Sequence, residues 1–570
     1  MTSEVHRLVS AQFVDPITVE VVGNALMACA EEVGASLIRA AFSSNIKERA
    51  DCSVAVFDSK GRLIVQAEHI PIHLGSMLGI VDHITRRYTL DQIHPGDVFV
   101  ANDPYHGGGT HLPDITVAAP VFFDGRLVAF VANIAHHSDV GGRVPGSNSG
   151  DTRHIFEEGL RIPPVKIMNA GSIDQDVLDI ILINSRLPRE RSGDLKAQIS
   201  AASTGGERIR RLYEKYGADR MQGCLDSLLA YAERRIRGRI AGVPHGTYHF
   251  VDYLDDDGVT PEPVRIEVTI TVTGDTIHLD FTGSGREAGG ALNVVEMALR
   301  ATVYYAIKAI LDPSCPSNAG FQRAIVIKAP PHTIVNALPP APVSARTETC
   351  QRITDVIFGA MAQAVPERVV AGCNSTLNGI NISGVDPRTG EFYVYPETIG
   401  GGMGARPHKD GLDGVHVHVT NSSNLPVEAL ETEYPLRVER YELVQDSCGS
   451  GRYRGGMGIR RDIRALGHVA ELSTHADRQK FVPWGLQGGK SARPGRLVIN
   501  LGAPGERVLP SGKMSGIMLK PGDVLTVITP GGGGYGPAES RDRQAIAEDV
   551  LDGVISPGKA SADYGFTEKT

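Results

Sequence analysis

The sequence predicts an α+β fold, and three observations lead to that prediction. Helical periodicity covers residues 16–43 and 173–240, β-like patterns flank the helices, and short strands between glycine-rich turns dominate the chain beyond about residue 420. A chain of 570 residues is too long for one compact core, so several substructures are expected. We expect a mixed helix and β-hairpin region at 1–170, a helical segment at 171–240, a β-rich region with a following helix at 241–345, and an α+β then β-rich, glycine-rich region at 346–570.

The first element should be a long amphipathic helix. Asp15 and Pro16 supply an N-cap and a first-turn proline. The apolar side chains that then recur at helical spacing are Val22, Leu26, Cys29, Val33 and Leu37. Two hairpins should follow it, CSVAVFD with RLIVQAE across a turn at 59–61, and ITVAAPVFF with RLVAFVANIAHH across a turn at 124–125. A strand VFVAN precedes the second hairpin.

Composition excludes several classes of protein. A net charge of −9 gives no electrostatic basis for binding nucleic acid or an anionic membrane. No run of about 18 apolar residues appears, and the first residues do not resemble a signal peptide, so we expect a cytoplasmic protein. The seven cysteines are scattered without a C-x-x-C spacing, which favours reduced core cysteines over disulfides or a thiolate zinc site.

Potential metal ligands concentrate around the second hairpin. They are Asp103, His106, His111, Asp114, His136, His137 and Asp139. The loop with the first histidines also holds Gly107, Gly108 and Gly109, which allow close approach of the backbone to a ligand. Imidazole and carboxylate ligands without thiolates suit Mn, Fe or Zn.

Hairpin register connects the two halves of this cluster. If residues 124–125 form a two-residue turn, His136 lies opposite Pro113 and close to His111. A regular ladder would then place His111 and His136 on one face, and Asp114 with His137 on the other. Because Pro113 favours an edge or a bulge, the ladder can break there, and the choice between His136 and His137 stays open.

Glycine-rich segments elsewhere give weaker signals. GLQGGKS (485–491) lacks the spacing and following helix of a phosphate-binding loop, and neither TPGGGGYG (529–536) nor GSGRYRGGMG (449–458) has dinucleotide-binding spacing, so turns are the better interpretation. GGGMGARPHKDG (400–411) could bind an anion or be a solvated loop at a subunit contact. With these segments excluded, the sequence shows no nucleotide-binding motif.

The chain resembles the hydantoinase B/oxoprolinase C-terminal-half family, which also includes the large subunits of acetone and acetophenone carboxylases. The resemblance runs over roughly residues 14–540. Its marks are ERADCSVAVFD (48–58), HIPIHLGSM (69–77), NDPYHGGGTHLPD (102–114), AHHSDVGG (135–142), EGLRIPP (158–164), DLKAQISA (194–201), GGGMGAR (400–406), GRYRGGMG (451–458) and TPGGGGYG (529–536).

The resemblance implies a division of labour between two chains. An A-type subunit with an actin-like ATPase fold phosphorylates the substrate, and the B-type subunit carries a metal site where the activated species is attacked. By resemblance, the metal ligands here would be His111, Asp114 and His136, with Asp51 as a fourth. His137 and Asp139 would support these ligands or transfer protons.

Other residues of the family-like blocks have less definite roles. His73 has none assigned. Asp194 and Arg346 could contact substrate or a partner, although an N-cap and a surface arginine are the simpler interpretations.

Three functional hypotheses follow. The first is an ATP-dependent hydrolase of a cyclic amide such as a hydantoin, 5-oxoproline or another lactam, with ATP bound by the partner. The second is a subunit of an ATP-dependent ketone carboxylase. The third is a scaffold that only docks the ATPase, against which the set of metal ligands argues.

Overall fold

A computed structural model describes residues 14–67 and 70–567 of the chain. Within these residues, four β-sheets combine with long helices, which confirms the α+β fold class. Glu68 and His69, from the first predicted hairpin and the HIPIHLGSM block, lie outside the described residues.

The first sheet is antiparallel throughout and supports the candidate site. Its strands are Cys52–Asp58 (β1), Leu63–Ala67 (β2), Val98–Ala101 (β3), Asp114–Phe123 (β4), Arg126–His136 (β5), Val165–Asn169 (β6) and Ser172–Ile173 (β7). They are ordered β2-β1-β5-β4-β3-β6-β7. Both predicted hairpins form, and Asp124 and Gly125 have φ of +50° and +71°, as a tight hairpin turn requires.

A bulge in the β4–β5 hairpin changes the predicted register. Phe122 faces Leu127, but Val121 faces Ala129, so Val128 is an extra residue on β5. His136 therefore pairs with Asp114, and not with Pro113 as predicted. The break in the ladder was expected at Pro113, and that position was wrong. The irregularity lies near the turn instead, and it brings Asp114 and His136 to one face.

Helices cover the first sheet. Those of the N-terminal half are Pro16–Ala40 (α1), Ser44–Lys47 (α2), His73–Ser76 (α3), Ile80–Arg87 (α4), Gln175–Ile183 (α5), Pro188–Tyr216 (α6) and Ala218–Ile240 (α7). The Asp15 carboxylate caps α1 by accepting from the Thr18 N–H at 2.9 Å. Among the described residues, α1 is the one helix long and apolar enough to span a membrane by length and composition, and its inner face is buried in a core shared with β1, α6 and α7.

The second sheet packs against two further helices. Its strands are Gly246–Leu254 (β8), Val264–Thr273 (β9), Thr276–Asp280 (β10) and Ile325–Lys328 (β11), ordered β11-β10-β9-β8. The helices here are Glu296–Leu311 (α8), Ala319–Gln322 (α9) and Arg346–Met361 (α10). Every residue of α10 is buried, because this helix lies between the second sheet, α8 and the C-terminal part of the chain.

Two smaller sheets make the C-terminal part β-rich, as predicted. One contains Gly379–Val385 (β12), Phe392–Glu397 (β13), Ala470–His475 (β16) and Lys513–Leu519 (β19). The other contains Leu436–Leu443 (β14), Ile459–Ala465 (β15), Arg496–Ile499 (β17), Arg507–Val508 (β18) and Val524–Ile528 (β20). The helices here are Val427–Glu433 (α11), Arg543–Leu551 (α12) and Pro557–Tyr564 (α13), none of which was predicted.

The glycine-rich segments pack against one another and are more than turns. The Gly402 N–H donates to Pro530 O at 3.0 Å, and the Gly532 N–H donates to Gly456 O at 2.9 Å. A Cβ on Gly455 would lie 1.8 Å from Gly532 O, so a side chain cannot fit between these backbones. In segment 400–411, Asp410 accepts two hydrogen bonds from Arg541, at 2.8 and 2.9 Å, which supports a structural role for this segment.

The hydrophobic interior consists of several clusters. The largest contains residues from Ile70 to Val419, and all four predicted regions contribute to it. The four regions therefore share one core, and their proposed boundaries stay a prediction. All seven cysteines are free and buried.

Candidate metal centre

Three side chains converge where the inner strand β4 of the first sheet begins and the neighbouring inner strand β5 ends. His111, Asp114 and His136 each offer a ligand atom, and these atoms lie within 4.8 Å of one another. Asp114 begins β4 and His136 ends β5, so the bulged register sets them side by side, and the turn before β4 adds His111. The part of the chain that the structure describes contains no other such group of three.

His111 is oriented with its Nε2 toward the carboxylate of Asp114. Its Nδ1 lies 3.1 Å from the backbone oxygen of Ser344, to which it can donate a proton. Its Nε2 lies 3.2 Å from Oδ1 of Asp114 without a hydrogen bond to any described residue, although the ring is only 1% exposed. A ring with Nδ1–H bound to a carbonyl presents the Nε2 lone pair, which is the form that binds a metal.

Asp114 is held as a carboxylate. Its Oδ2 accepts from Nη2 of Arg346 at 2.8 Å and from the Thr110 hydroxyl at 3.2 Å. Burial alone would raise the pKa of Asp114, but His111 and Arg346 hold that pKa well below its ordinary value. Arg346 is buried, so the interpretation of a surface arginine was wrong.

His136 is held from the opposite side of the site. The Asn45 amide nitrogen donates to the His136 backbone oxygen at 2.8 Å and lies 3.0 Å from its Nδ1. The His136 and His111 ring centroids are 5.0 Å apart. Burial and the neighbouring His111 hold the pKa of His136 well below its ordinary value, while burial and Arg346 lower the pKa of His111. Neutral imidazoles beside a carboxylate suit a divalent cation.

Asp51 lies in the wall of the same cavity, just before β1. Its backbone oxygen accepts from the His136 N–H at 3.0 Å, which ties the two segments together. Burial and the charge of Asp114 raise the pKa of Asp51 to about 7. Asp51 is outside the group of three convergent residues, so its role as a fourth ligand stays a prediction.

The glycine loop explains how the ligands reach one point. A Cβ on Gly108 would lie 2.4 Å from the Asp103 backbone nitrogen, and a Cβ on Gly109 would lie 2.8 Å from Asp114 O. Only glycine allows this fold of the loop. The loop's other candidates point elsewhere: Asp103 pairs with Arg161 at 2.8 Å, and His106 is 52% exposed.

His137 and Asp139 lie away from the three convergent residues. His137 is buried on the other face of the sheet, where its Nε2 lies 2.8 Å from Oε1 of Gln198 on α6. Asp139 accepts from Nη1 of Arg186 at 2.9 Å and from the Gly146 N–H at 3.1 Å. Neither lines the cavity, so their contacts favour support of the chain over proton transfer.

A match of sequence places the chain among known proteins. The family model described as hydantoinase B/oxoprolinase matches residues 15–538. The chain belongs to this family. It is 43% identical to an uncharacterized protein of Methanocaldococcus jannaschii over 96% of both chains, and 35% identical to the B subunit of a putative D-/L-hydantoinase of Pseudomonas sp. over 97% of this chain and 95% of the other. It is also 33% identical to the 5-oxoprolinase of Dictyostelium discoideum, but spans only 41% of that longer protein.

Solved structures of related proteins have the same fold. The ATP-dependent caprolactamase of Pseudomonas jessenii superimposes with a TM-score of 0.91 at 31% identity, over 98% of this chain and 97% of the other. An acetone carboxylase structure superimposes with a TM-score of 0.90 over 97% of this chain and 80% of the other. At 20% identity, this second likeness concerns the fold.

Several residues around the centre of this hydantoinase B chain had no role assigned from the sequence. The cavity that holds the three residues is narrow, about 60 Å³, and its wall includes His73 and His475. His475 lies 3.1 Å from Glu348 of α10, and His73 lies 3.0 Å from the Ser53 hydroxyl. Arg49 also lines it, next to Asp51 in the ERADC block. His475 and Glu348 come from distant segments, so spacing along the chain carried no signal for them, whereas the nearness of Arg49 to Asp51 was visible in the sequence.

Asp194 also differs from its simpler interpretation. It is not an N-cap of its own helix but lies inside α6, where its Oδ1 accepts from the backbone N–H of Phe42 at 2.7 Å and of Ser43 at 3.1 Å. It therefore anchors the segment between α1 and α2, which leads to Asn45 at the centre.

Proposed function

We propose that this chain is the metal-binding catalytic subunit of an ATP-dependent cyclic amide hydrolase, in which a partner phosphorylates the substrate. The observation that carries the proposal is the convergence of His111, Asp114 and His136 within 4.8 Å, with Nε2 of His111 buried and without a hydrogen bond. A buried polar atom of this kind is costly unless a ligand satisfies it.

The donor set fits a divalent cation. Two imidazoles and a carboxylate, with Asp51 close by, are ligands that Mn, Zn or Fe accept, and no thiolate is present to favour a softer metal. When bound, such a cation supplies Lewis acidity and the means to activate water near neutral pH.

The chain's own residues prepare the site. The Ser344 carbonyl fixes the tautomer of His111, Asn45 holds His136, and Arg346 keeps Asp114 ionised. The three convergent residues line a narrow cavity of about 60 Å³. We infer that the reacting carbonyl carbon is presented here while the rest of the substrate lies toward the partner.

ATP belongs, in this proposal, to an A-type, actin-like ATPase subunit. The sequence has no nucleotide-binding motif, and amides are poor electrophiles, so their phosphorylation must be supplied from elsewhere. One relative is named as the B subunit of a hydantoinase and another as the beta subunit of a caprolactamase, which supports a hetero-oligomer. The much longer 5-oxoprolinase is compatible with fusion of the two functions in one chain. We infer a cytoplasmic location, because all the cysteines are free.

Ketone carboxylation is the second candidate, and the acetone carboxylase fold is the observation behind it. The two reactions differ in their co-substrate. A hydrolase consumes ATP in response to a cyclic amide alone, whereas a carboxylase needs a ketone and bicarbonate. Reconstitution with the ATPase subunit and a panel of both substrate classes separates them.

Elemental analysis of the purified chain tests the metal site. We expect near-stoichiometric Mn, Zn or Fe in the wild type and its loss in His111→Ala. His106→Ala is the matched control, because His106 lies in the same loop but is exposed and pairs with Asp103. A wild type that takes up none of these metals, or equal loss in both variants, would contradict the catalytic assignment and favour the scaffold hypothesis.

A further inference from the structure

Arg49 is a buried arginine with unused hydrogen-bond donors in the wall of the metal cavity. It is 4% exposed, and its Nε and Nη2 have no hydrogen-bond partner among the described residues. We propose that this free edge is an oxyanion-binding subsite that receives the phosphoryl group of the activated substrate. This inference rests on the proposed function, because it needs a phosphorylated substrate.

The unused donors have the right arrangement for an oxyanion. Nε and Nη2 form one edge of the planar guanidinium, which offers two parallel N–H groups and binds two oxygens of a phosphate or a carboxylate together. Leaving such a charged, buried edge without a partner is unfavourable. A bound anion would accept hydrogen bonds from these donors and remove that free-energy cost, so Arg49 stabilises the protein most when the ligand is present.

The other edge of Arg49 fixes its position. Nη1 donates to the backbone oxygen of Pro396 and, at 3.3 Å, to Oδ1 of Asn45. Its guanidinium carbon also lies 5.4 Å from the centre of the Tyr395 ring. The free edge is therefore held in place before a ligand arrives, which lowers the entropic cost of binding.

No carboxylate of the described part of the chain forms a direct ion pair with Arg49, although Asp51 lines the same cavity wall and feels its charge. Glu397 also lines the cavity, but it is already engaged: Oε1 accepts from the Asn424 amide at 3.0 Å and Oε2 lies 3.4 Å from Arg461. No acidic oxygen of the described residues lies within ion-pair distance of Arg49. Its two unpaired donors are thus available to a ligand.

Asn45 connects this subsite to the metal centre. Its Nδ2 holds His136 at 2.8 Å, while its Oδ1 accepts from Arg49. One amide side chain therefore separates the proposed oxyanion subsite from a metal ligand. Arg49 and the three convergent residues line one cavity, so an anion bound by Arg49 within that cavity would lie near the centre, where the phosphoryl group of an O-phosphorylated amide must be when its carbon is attacked.

The phosphoryl group is a better occupant than a substrate carboxylate. A cyclic amide such as caprolactam, named for one relative, has no carboxylate, whereas every substrate activated by ATP would carry a phosphoryl group. Arg346, the other cavity arginine, already neutralises Asp114 at 2.8 Å. Of the two cavity arginines, Arg49 is therefore the side chain that is available to the dianionic phosphoryl group.

Anion titration of the metal-loaded chain tests the proposal, with inorganic phosphate and acetate as the probes in calorimetry. We expect Arg49→Met to keep its metal and to bind phosphate about 10- to 100-fold more weakly than the wild type, because it loses charge-assisted hydrogen bonds. Arg208→Met is the control, since Arg208 is a 50% exposed arginine of α6, and it should bind phosphate like the wild type. Acetate should bind weakly and depend little on Arg49.

Each other outcome has a definite meaning. Equal phosphate binding by the wild type and Arg49→Met, or no phosphate binding by either, overturns the subsite. Acetate binding that falls as much as phosphate binding assigns Arg49 to a substrate carboxylate and overturns the phosphoryl assignment. If Arg49→Met loses its metal, the Arg49→Lys variant replaces it in the titration. Lysine keeps the positive charge but lacks the two parallel N–H donors of arginine. Metal-loaded Arg49→Lys that binds phosphate like the wild type would overturn the proposal. A wild type without metal is a failure of the proposed function instead.

Discussion

Replacement of Arg346 by methionine should destabilise the metal-free protein strongly and the metal-loaded protein much less. Arg346 and Asp114 form an ion pair at 2.8 Å with side chains that are 5% and 1% exposed, and Nε of Arg346 also binds the Thr110 hydroxyl at 2.9 Å. Removal of one partner of a buried pair leaves the other charge uncompensated, which costs about 3–5 kcal/mol. Methionine retains most of the volume, so the cavity term is small.

A divalent cation should reverse much of this loss. In the variant, the cation replaces Arg346 as the positive charge beside Asp114 and no longer has an arginine to repel it. We therefore expect metal to bind at least about tenfold more tightly to Arg346→Met, which adds about 1.4 kcal/mol to its metal-dependent stabilisation relative to the wild type.

Guanidinium denaturation followed by circular dichroism, with chelator and with added Mn or Zn, measures both effects. Arg300→Met is the control, because Arg300 pairs with Glu296 where both side chains are exposed, 38% and 55%, and a change within about 0.5 kcal/mol is expected. Equal metal-dependent stabilisation of the wild type and Arg346→Met would refute the reasoning, as would a metal-free variant as stable as the wild type.

Two further predictions concern the loop and the support of the centre. Gly109→Ala should abolish metal binding and lower the free energy of unfolding by at least about 2 kcal/mol, because Gly109 has φ of +131° and a Cβ added there would lie 2.8 Å from the Asp114 backbone oxygen. Gly206→Ala is the control and should keep the metal, because a Cβ on this helical glycine meets nothing closer than 3.6 Å. Elemental analysis and denaturation of both variants check this, and retained metal in Gly109→Ala would contradict it. Glu158 supports the backbone that orients His111, because its Oε1 accepts from the N–H groups of Val343 and Ser344 at 2.7 and 2.8 Å. Burial raises the pKa of Glu158 to about 8, so the stabilisation from its protonated form is complete below about pH 4.5 and is lost as the pH rises through about 8. Glu158→Gln should therefore gain stability relative to the wild type over that interval in denaturation curves, and a pH-independent difference would contradict the assignment.

Much of the fold was predictable because it depends on local periodicity and turn chemistry. The helix α1 was expected at 16–43 and spans Pro16–Ala40, and the hairpin turn at Asp124 and Gly125 forms as its residues require. The terminal helices α12 and α13 were missed because glycine-rich strands dominate the composition around them. The proposed region boundaries followed changes in the helix and strand patterns along the sequence. The largest core cluster contains residues from all four regions, so its extent could not be read from those patterns.

The candidate ligands were predictable only in part. The ligand cluster around the second hairpin already contained His111, Asp114 and His136, hairpin pairing put His136 close to His111, and the family resemblance added Asp51. The residue-level reasoning left His136 and His137 as alternatives, because a ladder of period two turns a shift of one residue into a change of face. The bulge at Val128 makes that shift, and it favours His136.

By itself, the sequence determined the elements, the concentration of ligands around one hairpin and the family. These depend on neighbours along the chain, whose spacing is visible in the residues. Only the tertiary structure decided that Ser344 orients His111, that Arg346 is buried against Asp114, and that two donors of the cavity-lining Arg49 have no hydrogen-bond partner among the described residues. Those contacts join segments hundreds of residues apart, and they arise because buried polar atoms must find partners wherever packing brings them.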